Sequence, residues 1–261
     1  MNQPLAYVHP GAKIAKNVVI EPFTTISNNV VIGEGTWVGS NVIIMEGARI
    51  GKNCSIFSGS VISAIPQDLK FNGEDSFALI NDNTTIRECV TINRGTSERG
   101  ETRIGQNCLI MAYSHVAHDC IIGDNCIFSN NSTLAGHVTV GNHAILSGFV
   151  AVHQFCSIGD YAFIAGGSLV RKDIPPYVKA AREPVSYVGI NSVGLRRRGF
   201  KANKIQEIQN IYRILFQNKY NNSQAADIIE AELAATPERD EILEFIKHSQ
   251  RGIMKGYSQK N

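Results

Sequence analysis

An aliphatic residue recurs at every sixth position along most of this 261-residue chain. Val8, Ile14, Ile20, Ile26, Ile32, Val38, Ile44, Ile50, Ile56 and Ile62 keep the spacing without a gap. It resumes at Ile80, Ile86 and Ile92. It resumes again at Ile104, Ile110, Val116, Ile122, Phe128, Leu134, Val140, Leu146, Val152, Ile158, Ile164 and Val170. Helices repeat at about 3.6 residues and half-buried strands at about 2, so neither explains a period of six. A period held this long marks a solenoid, whose repeats bury their apolar faces only against the repeats beside them.

The other positions of the hexad describe the geometry. Gly often follows the ladder residue directly, as at Gly33, Gly51, Gly105, Gly123, Gly141 and Gly159. Three residues after the ladder, Asn or Gly recurs: Asn17, Asn29, Gly35, Asn41, Gly47, Asn53, Gly59, Asn107 and Asn125. These types tolerate positive φ, which a sharp corner between short strands requires. Four residues after it stands a small or β-branched side chain, such as Val18, Thr24, Val30, Thr36, Val42 or Ala48. One large and one small inward residue per face suits a narrow three-sided prism. Three hexads then form one coil, stacked on the next at about 4.8 Å in parallel register. The spacing does not fix the hand of the coil. Cys54, Cys108, Cys120, Cys126 and Cys156 occupy the small inward slot and read as buried packing residues rather than nucleophiles or ligands. Ser63 to Ala78 and Gly95 to Glu101 leave the pattern and read as loops extruded from the prism. The repeat is expected to end after Ile174-Pro175-Pro176-Tyr177.

From Asn191 to Asn261 the chain reads as an α-helical domain following a β-solenoid of residues 1–190. Lys201 to Lys219 carries Ile205, Ile208, Ile211, Tyr212, Leu215 and Phe216 at helical spacing. Ser223 is expected to cap a second helix. Thr236-Pro237-Glu238 reads as a cap, a first-turn proline and an acidic first turn, and Gly252 as a stop. The helices are expected to cover the open end of the solenoid.

The formal charge of +2 makes no case for nucleic acid, but it is unevenly spread. From Ala165 to Tyr220 there are eleven Lys or Arg against three Asp or Glu, a field suited to an acidic partner or a phosphate-bearing ligand. No apolar run reaches the roughly 18 residues of a membrane span. Met1-Asn2-Gln3-Pro4 lacks the basic and apolar segments of a signal peptide, so a cytoplasmic location is expected.

His115, His118, His137 and His153 lie in a short part of the ladder. One coil above His118 is position 136, beside His137. One coil above His137 is position 155, near His153. Imidazoles therefore stack along one region of the prism, with Asp119 adjacent. Such a cluster suits a metal site, because histidine is a common ligand, or general-base catalysis in a polar cleft.

The chain as a whole resembles the UDP-N-acetylglucosamine acyltransferases that begin lipid A biosynthesis. The resemblance rests on the early hexads and on Gln67-Asp68-Leu69-Lys70, Thr91-Ile92-Asn93-Arg94-Gly95-Thr96 and His115-Val116-Ala117-His118-Asp119-Cys120. It extends through Asn131-Ser132-Thr133-Leu134-Ala135-Gly136-His137-Val138, Ala151-Val152-His153-Gln154-Phe155-Cys156, Pro175-Pro176-Tyr177 and Gly194-Leu195-Arg196-Arg197-Arg198-Gly199-Phe200.

The resemblance implies a left-handed parallel β-helix with a C-terminal α-helical domain, assembled as a homotrimer with active sites between neighbouring prisms. It implies transfer of an (R)-3-hydroxyacyl chain from acyl carrier protein to the 3-hydroxyl of UDP-N-acetylglucosamine. No metal or other cofactor is implied beyond the phosphopantetheine that carries the acyl chain. His118 matches the family's base, Asp119 the carboxylate that orients it, and Gly136 the backbone donor to the oxyanion. Asp68, Lys70, His115, His137, His153 and Gln154 match substrate-contacting positions. Gly166 matches the position closing the acyl pocket, and Asn191, Arg197 and Arg198 match the nucleotide end. Arg171, Lys172, Lys179 and Arg182 match a docking surface for acidic acyl carrier protein. Asn93 stands where some members carry His, and Val193 where some carry Glu, so no role is transferred to either. The alternatives are another hexapeptide-repeat transferase, a carbonic anhydrase-like β-helix with a histidine-bound metal, and a non-catalytic solenoid that only binds or scaffolds.

Overall fold

The computed structural model describes residues 5–217 and 220–256. The Met1–Pro4 segment and Lys219, the expected end of the first long helix, lie outside them. The chain winds as a left-handed parallel β-helix with three flat faces. The first face runs from Tyr7–Val8 to Leu169–Val170 in nine strands, and the second from Lys13–Ile14 to Ser157–Ile158 in eight. The third starts at Val19–Ile20 and extends to eleven strands. Each short strand pairs in parallel with the one a coil away, as in Thr91↔His115↔Thr133↔Ala151↔Leu169.

The ladder residues from Ile20 to Val170 are buried, while Val8 and Ile14, in the first described coil, are only partly covered. The small slot is buried as well, including all five ladder cysteines. Threonines in that slot, such as Thr24, donate to a carbonyl of the next corner, here Gly39 O at 2.7 Å. The hydroxyl is satisfied, so its burial carries no desolvation penalty. The corner position three residues after the ladder takes positive φ in most coils, at 59° in Asn17 and 58° in Asn41. The glycines directly after the ladder serve a different purpose. A Cβ on Gly33 would stand 2.6 Å from the Gly51 carbonyl of the next coil, so bare backbone lets the coils close up there.

The extruded segments are shorter than the hexad pattern suggests. Ser63 and Ala64 still belong to strand Val61–Ala64, and Ala78 pairs with Ala48, leaving residues 65–76 as the loop. Glu101 likewise pairs with Phe77. Sheet structure continues past Tyr177. Tyr177 makes one more positive-φ corner, and Val178–Ala181 adds a rung to the third face through Phe163↔Lys179. Strand Ser186–Ile190 then folds back antiparallel, and Lys255–Gly256 pairs beside it. Sheet hydrogen bonding continues past the hexad register because the backbone, not the repeat, supplies the ladder.

Four helices follow: α1 (Ser192–Arg197), α2 (Ala202–Gln217), α3 (Asn222–Glu232) and α4 (Pro237–His248). Asn191 caps α1 through Gly194 N, and Thr236 caps α4 with Pro237 at its first turn. Helix α3 is capped by Asn221, not Ser223. The Asn221 side chain accepts from Gln224 N while the Gln224 side chain accepts from Asn221 N, a reciprocal box that Ser223 cannot form. Helix α4 ends at His248, before Gly252. Ile205, Ile208, Ile211, Tyr212 and Leu215 of α2 are buried, and Tyr212 donates to Pro176 O at 2.6 Å, which fastens the helices to the last coil. Among the described residues no helix is long and apolar enough to cross a membrane.

Candidate active site

The corner between the first and second faces carries the histidines. His115 points outward from the first face between Thr91 and Thr133, and its Nδ1 lies 2.7 Å from Thr91 Oγ1. Burial, then the neighbouring His118, lowers its pKa and favours the neutral ring. His118 and Asp119 follow as the chain turns the corner. Asp119 is the positive-φ residue, at 59°, where most coils place Asn or Gly. A charged residue held in that conformation is a reason to look for function there.

The Asp119 carboxylate is fully buried and has three donors. Thr96 N–H reaches Oδ1 at 3.0 Å, and Thr96 Oγ1–H reaches Oδ2 at 2.6 Å. His118 Nδ1 reaches Oδ2 at 2.8 Å. Burial alone raises this carboxyl, but the bonds from Thr96 and His118 outweigh it and hold the group below its ordinary range. An ionised carboxylate only accepts, so His118 Nδ1 carries the proton and Nε2 presents its lone pair outward. No hydrogen-bond partner for Nε2 exists among the described residues. This is the arrangement of a base oriented by a third group.

One coil above, the ring of His118 lies against Gly136. A Cβ there would stand 2.6 Å from His118 Cε1 and 2.7 Å from Nε2. Only glycine leaves room for the imidazole, and its backbone N–H has no hydrogen-bond partner among the described residues. His137 follows at φ 63°, meeting His118 edge to face with centroids 5.0 Å apart. Burial lowers the His137 pKa, with the Asp119 charge opposing.

The third ring of the column is not His153. Phe155 stacks on His137 at 4.5 Å, because the corner position repeats at 119, 137 and 155. His153 sits before the corner, exposed, with Nδ1 3.1 Å from the Gln154 carbonyl, and the Gln154 side chain is also exposed. His118, Asp119 and His137 place one donor atom each within 4.8 Å of one another, close enough to consider a cation. However, the carboxylate already accepts three hydrogen bonds, one of them from His118 Nδ1, and a cation would have to displace them.

The two extruded loops flank this corner. Asp68 and Lys70 sit in the 65–76 loop, where Asp68 Oδ1 accepts from Lys70 N at 3.0 Å. Lys70 is exposed, and Leu69 between them is fully exposed. Buried Asn93 ties the loop base through Nδ2 to Ile65 O at 3.2 Å, while its Oδ1 has no hydrogen-bond partner.

The remaining expected residues lie elsewhere on the prism. Gly166 is at the corner between the third and first faces, where a Cβ would meet Gly148 O at 3.1 Å. Asn191 and Arg197 line a groove of about 310 Å³ on the third face with Ile145, Phe163, Lys179 and Val193. Asn191 also donates to Tyr161 O at 3.0 Å, and Arg198 is exposed beside the groove. The third face is opposite the histidine corner of a three-sided prism, so a single chain does not bring these groups together. On the basic surface, Arg171 pairs with Glu183 at 2.9 Å and Lys172 donates to Arg251 O.

The hexad pattern gave no hint of Thr91, Thr96 or Thr102, although all three touch the site. Thr102 Oγ1 accepts from Asp119 N at 2.8 Å. Thr96 lies in a segment outside the repeat register, where no spacing rule could bring it to Asp119. What marked it was its place in a short extrusion directly before the histidine coil, at the end of the Thr91–Thr96 segment that carries the resemblance.

Comparison with known proteins agrees with the geometry. Residues 173–254 match the model described as UDP N-acetylglucosamine O-acyltransferase, domain 2. Residues 101–136 match the bacterial transferase hexapeptide, and residues 2–97 the GMPPB C-terminal domain. An acyl-[acyl-carrier-protein]–UDP-N-acetylglucosamine O-acyltransferase from a Sulfurihydrogenibium species is 57% identical over 96% of this chain and 93% of its own. The enzyme of that name from Chlorobium phaeobacteroides is 59% identical over 95% and 94%. The crystal structure of a UDP-N-acetylglucosamine acyltransferase from Bacteroides fragilis superposes with a TM-score of 0.96, at 52% identity, covering 98% of this chain and all of that one. With its three-sided coil, histidine corner and helical cap, the chain belongs to the UDP-N-acetylglucosamine O-acyltransferase family.

Proposed function

We propose that this protein transfers an (R)-3-hydroxyacyl group from the phosphopantetheine thioester of acyl carrier protein to the 3-hydroxyl of UDP-N-acetylglucosamine, the first step of lipid A biosynthesis. The observation that carries the mechanism is His118, pinned through Nδ1 to Asp119 with Nε2 free and packed on bare Gly136. Nε2 takes the proton from the sugar 3-hydroxyl as that oxygen attacks the thioester carbonyl, forming the C–O bond. The Gly136 N–H is the donor for the oxyanion of the tetrahedral intermediate, a contribution of about 3 kcal/mol in comparable sites. The C–S bond then breaks, and the leaving sulfur takes the proton back from the His118 imidazolium. Half-buried His115 and His137, whose pKa values burial lowers, supply polar edges to the sugar beside the base.

The nucleotide falls to Asn191, Arg197 and Arg198, whose guanidinium groups suit diphosphate oxygens. Since their groove lies opposite the histidine corner, the complete site combines the histidine corner of one copy with the third face of another, as a homotrimer with sites between prisms allows. Fully exposed Leu69 and half-exposed Ile65, on the loop beside the histidines, are apolar surface that a second copy would cover. The basic surface of Arg171, Lys172, Lys179 and Arg182 suits acidic acyl carrier protein, and raising salt should increase the KM for the carrier.

The test is acyl transfer by the purified protein from a panel of 3-hydroxyacyl carrier thioesters to UDP-N-acetylglucosamine, followed by product mass. An acylated nucleotide sugar supports the proposal. Thioester hydrolysis without sugar acylation, or activity requiring stoichiometric zinc or iron, contradicts it.

A further inference from the structure

The proposed mechanism leaves one question open. The corner fixes the Asp119 backbone, but nothing in the hexad fixes the rotamer of its carboxylate. Asp119 N–H is held by Thr102 Oγ1 and its carbonyl accepts from Arg99 Nη1 at 3.1 Å. Neither contact touches the carboxylate. Thr96 bonds both of its oxygens, reaching Oδ1 with its N–H and Oδ2 with its hydroxyl, while His118 Nδ1 shares Oδ2.

Thr96 is itself braced. It opens a tight turn closed by Gly100 N→Thr96 O at 2.7 Å, and Glu98 N reaches Thr96 Oγ1 at 3.3 Å. Gly95 allows the turn to fold flat, since a Cβ there would stand 2.3 Å from Glu101 N. The next residue, Ser97, donates its N–H to Glu74 Oε1 at 2.9 Å, and the other Glu74 oxygen accepts from Asn72 N at 2.8 Å. Its own backbone N–H, then those of Asn72 and Ser97, hold the Glu74 carboxyl below its ordinary range. Glu74 therefore straps the 65–76 loop, which carries Asp68 and Lys70, to the turn that holds Asp119.

We infer that Thr96 is a positioning residue for the base, acting on His118 through both oxygens of Asp119, and that Glu74 couples its placement to the substrate loop. The inference rests on His118 being the base. It concerns how that base is kept in register. The hydroxyl bond is charge-assisted and buried, so removing it is expected to cost about 10- to 100-fold in kcat.

The charged and titratable groups around Asp119 are His118 and His137 from the column and Arg99 from the turn, with His115 acting on His118 and Glu98 on His137. Thr96→Val leaves all of them in place. With one donor gone, the buried carboxylate binds protons more readily and grips the imidazolium more strongly. Both effects move the acid limb of the kcat/KM profile to higher pH.

The experiment measures kcat, KM and pH profile for Thr96→Val, Thr96→Ser and Glu74→Gln, with His118→Ala alongside. Expected are a 10- to 100-fold lower kcat for Thr96→Val with little change in the KM for the nucleotide sugar, a raised acid limb, and rescue by Thr96→Ser. Glu74→Gln keeps only one carbonyl acceptor for two backbone donors, so its KM should rise and its effect should be non-additive with Thr96→Val. A Thr96→Val enzyme with wild-type kcat and pH profile overturns the inference. So does Thr96→Ser impaired as much as Thr96→Val, which reports a merely structural role. Where Thr96→Val does not fold, Glu74→Gln decides alone, and unchanged constants overturn the coupling. Full activity in His118→Ala instead rejects the underlying mechanism, which separates the two failures.

Discussion

Adding one methyl group to Gly136 perturbs the site at a single defined point. The new Cβ would sit 2.6 Å from His118 Cε1 and 2.7 Å from Nε2. Carbon atoms in contact sit about 3.5–4.0 Å apart, so the ring must recede by about 1 Å. It cannot do so freely, because its Nδ1 is bonded at 2.8 Å to a carboxylate that is itself fully buried and bonded twice to Thr96. A misplacement of about 1 Å costs about 100-fold in rate, or about 2.7 kcal/mol of transition-state stabilisation. Gly136 is not in the left-handed region, and alanine keeps the N–H, so neither backbone strain nor loss of the oxyanion donor accompanies the change. The assay is steady-state acyl transfer by Gly136→Ala at saturating nucleotide sugar and carrier thioester, with the thermal midpoint measured in parallel. The reasoning expects kcat to fall about 100-fold while the midpoint barely moves. Activity within threefold of wild type at an unchanged midpoint would refute it, since the ring would then have no need of that space.

Other consequences are open to measurement. A side chain at Gly166 starts 3.1 Å from Gly148 O, so Gly166→Met should shift acyl preference toward shorter chains in a thioester competition, and an unchanged preference contradicts the pocket assignment. Burial, with the charges of Asp160 and Glu238, pushes the Glu241 carboxyl up to about 7, while its bond from Tyr177 opposes the shift. The folded state then holds its proton more tightly than the unfolded chain, whose carboxyl titrates near 4.3. Its contribution to stability is present below about pH 4.3 and lost as pH rises to about 7. Glu241→Gln should therefore gain more in urea midpoint, relative to wild type, at pH 8 than at pH 5, and an equal difference at both would rule the effect out. Mixing inactive His118→Ala with inactive Arg197→Ala subunits should restore part of the activity if each site draws on two copies. No recovery after subunit exchange would argue for sites within one chain.

The prism was legible from the hexads because one physical constraint, filling a narrow triangular core, dictates the same residue at the same place in every coil. Asn17 and Asn41 could be placed at positive-φ corners for the same reason, as could the cysteines in the small slot. The site was legible only where it obeys the repeat. Asp119 and His137 occupy corresponding corners and meet as the spacing requires, and the same register rule puts Phe155 above them where His153 was expected. Thr96 and Glu74 act from segments that have left the register. Their contacts depend on how two loops fold against each other, which no periodicity encodes. The helix caps divide along similar lines. Thr236-Pro237 is a strong local signal, whereas the choice of Asn221 over Ser223 turns on a reciprocal bond to Gln224.

The most direct test of the account is the rate of acyl transfer by His118→Ala at saturating concentrations of both substrates, with nucleotide-sugar binding measured separately. A positioned base contributes about 10²- to 10⁴-fold, so the account predicts a loss in that range with binding retained. A transfer rate within tenfold of wild type would contradict it.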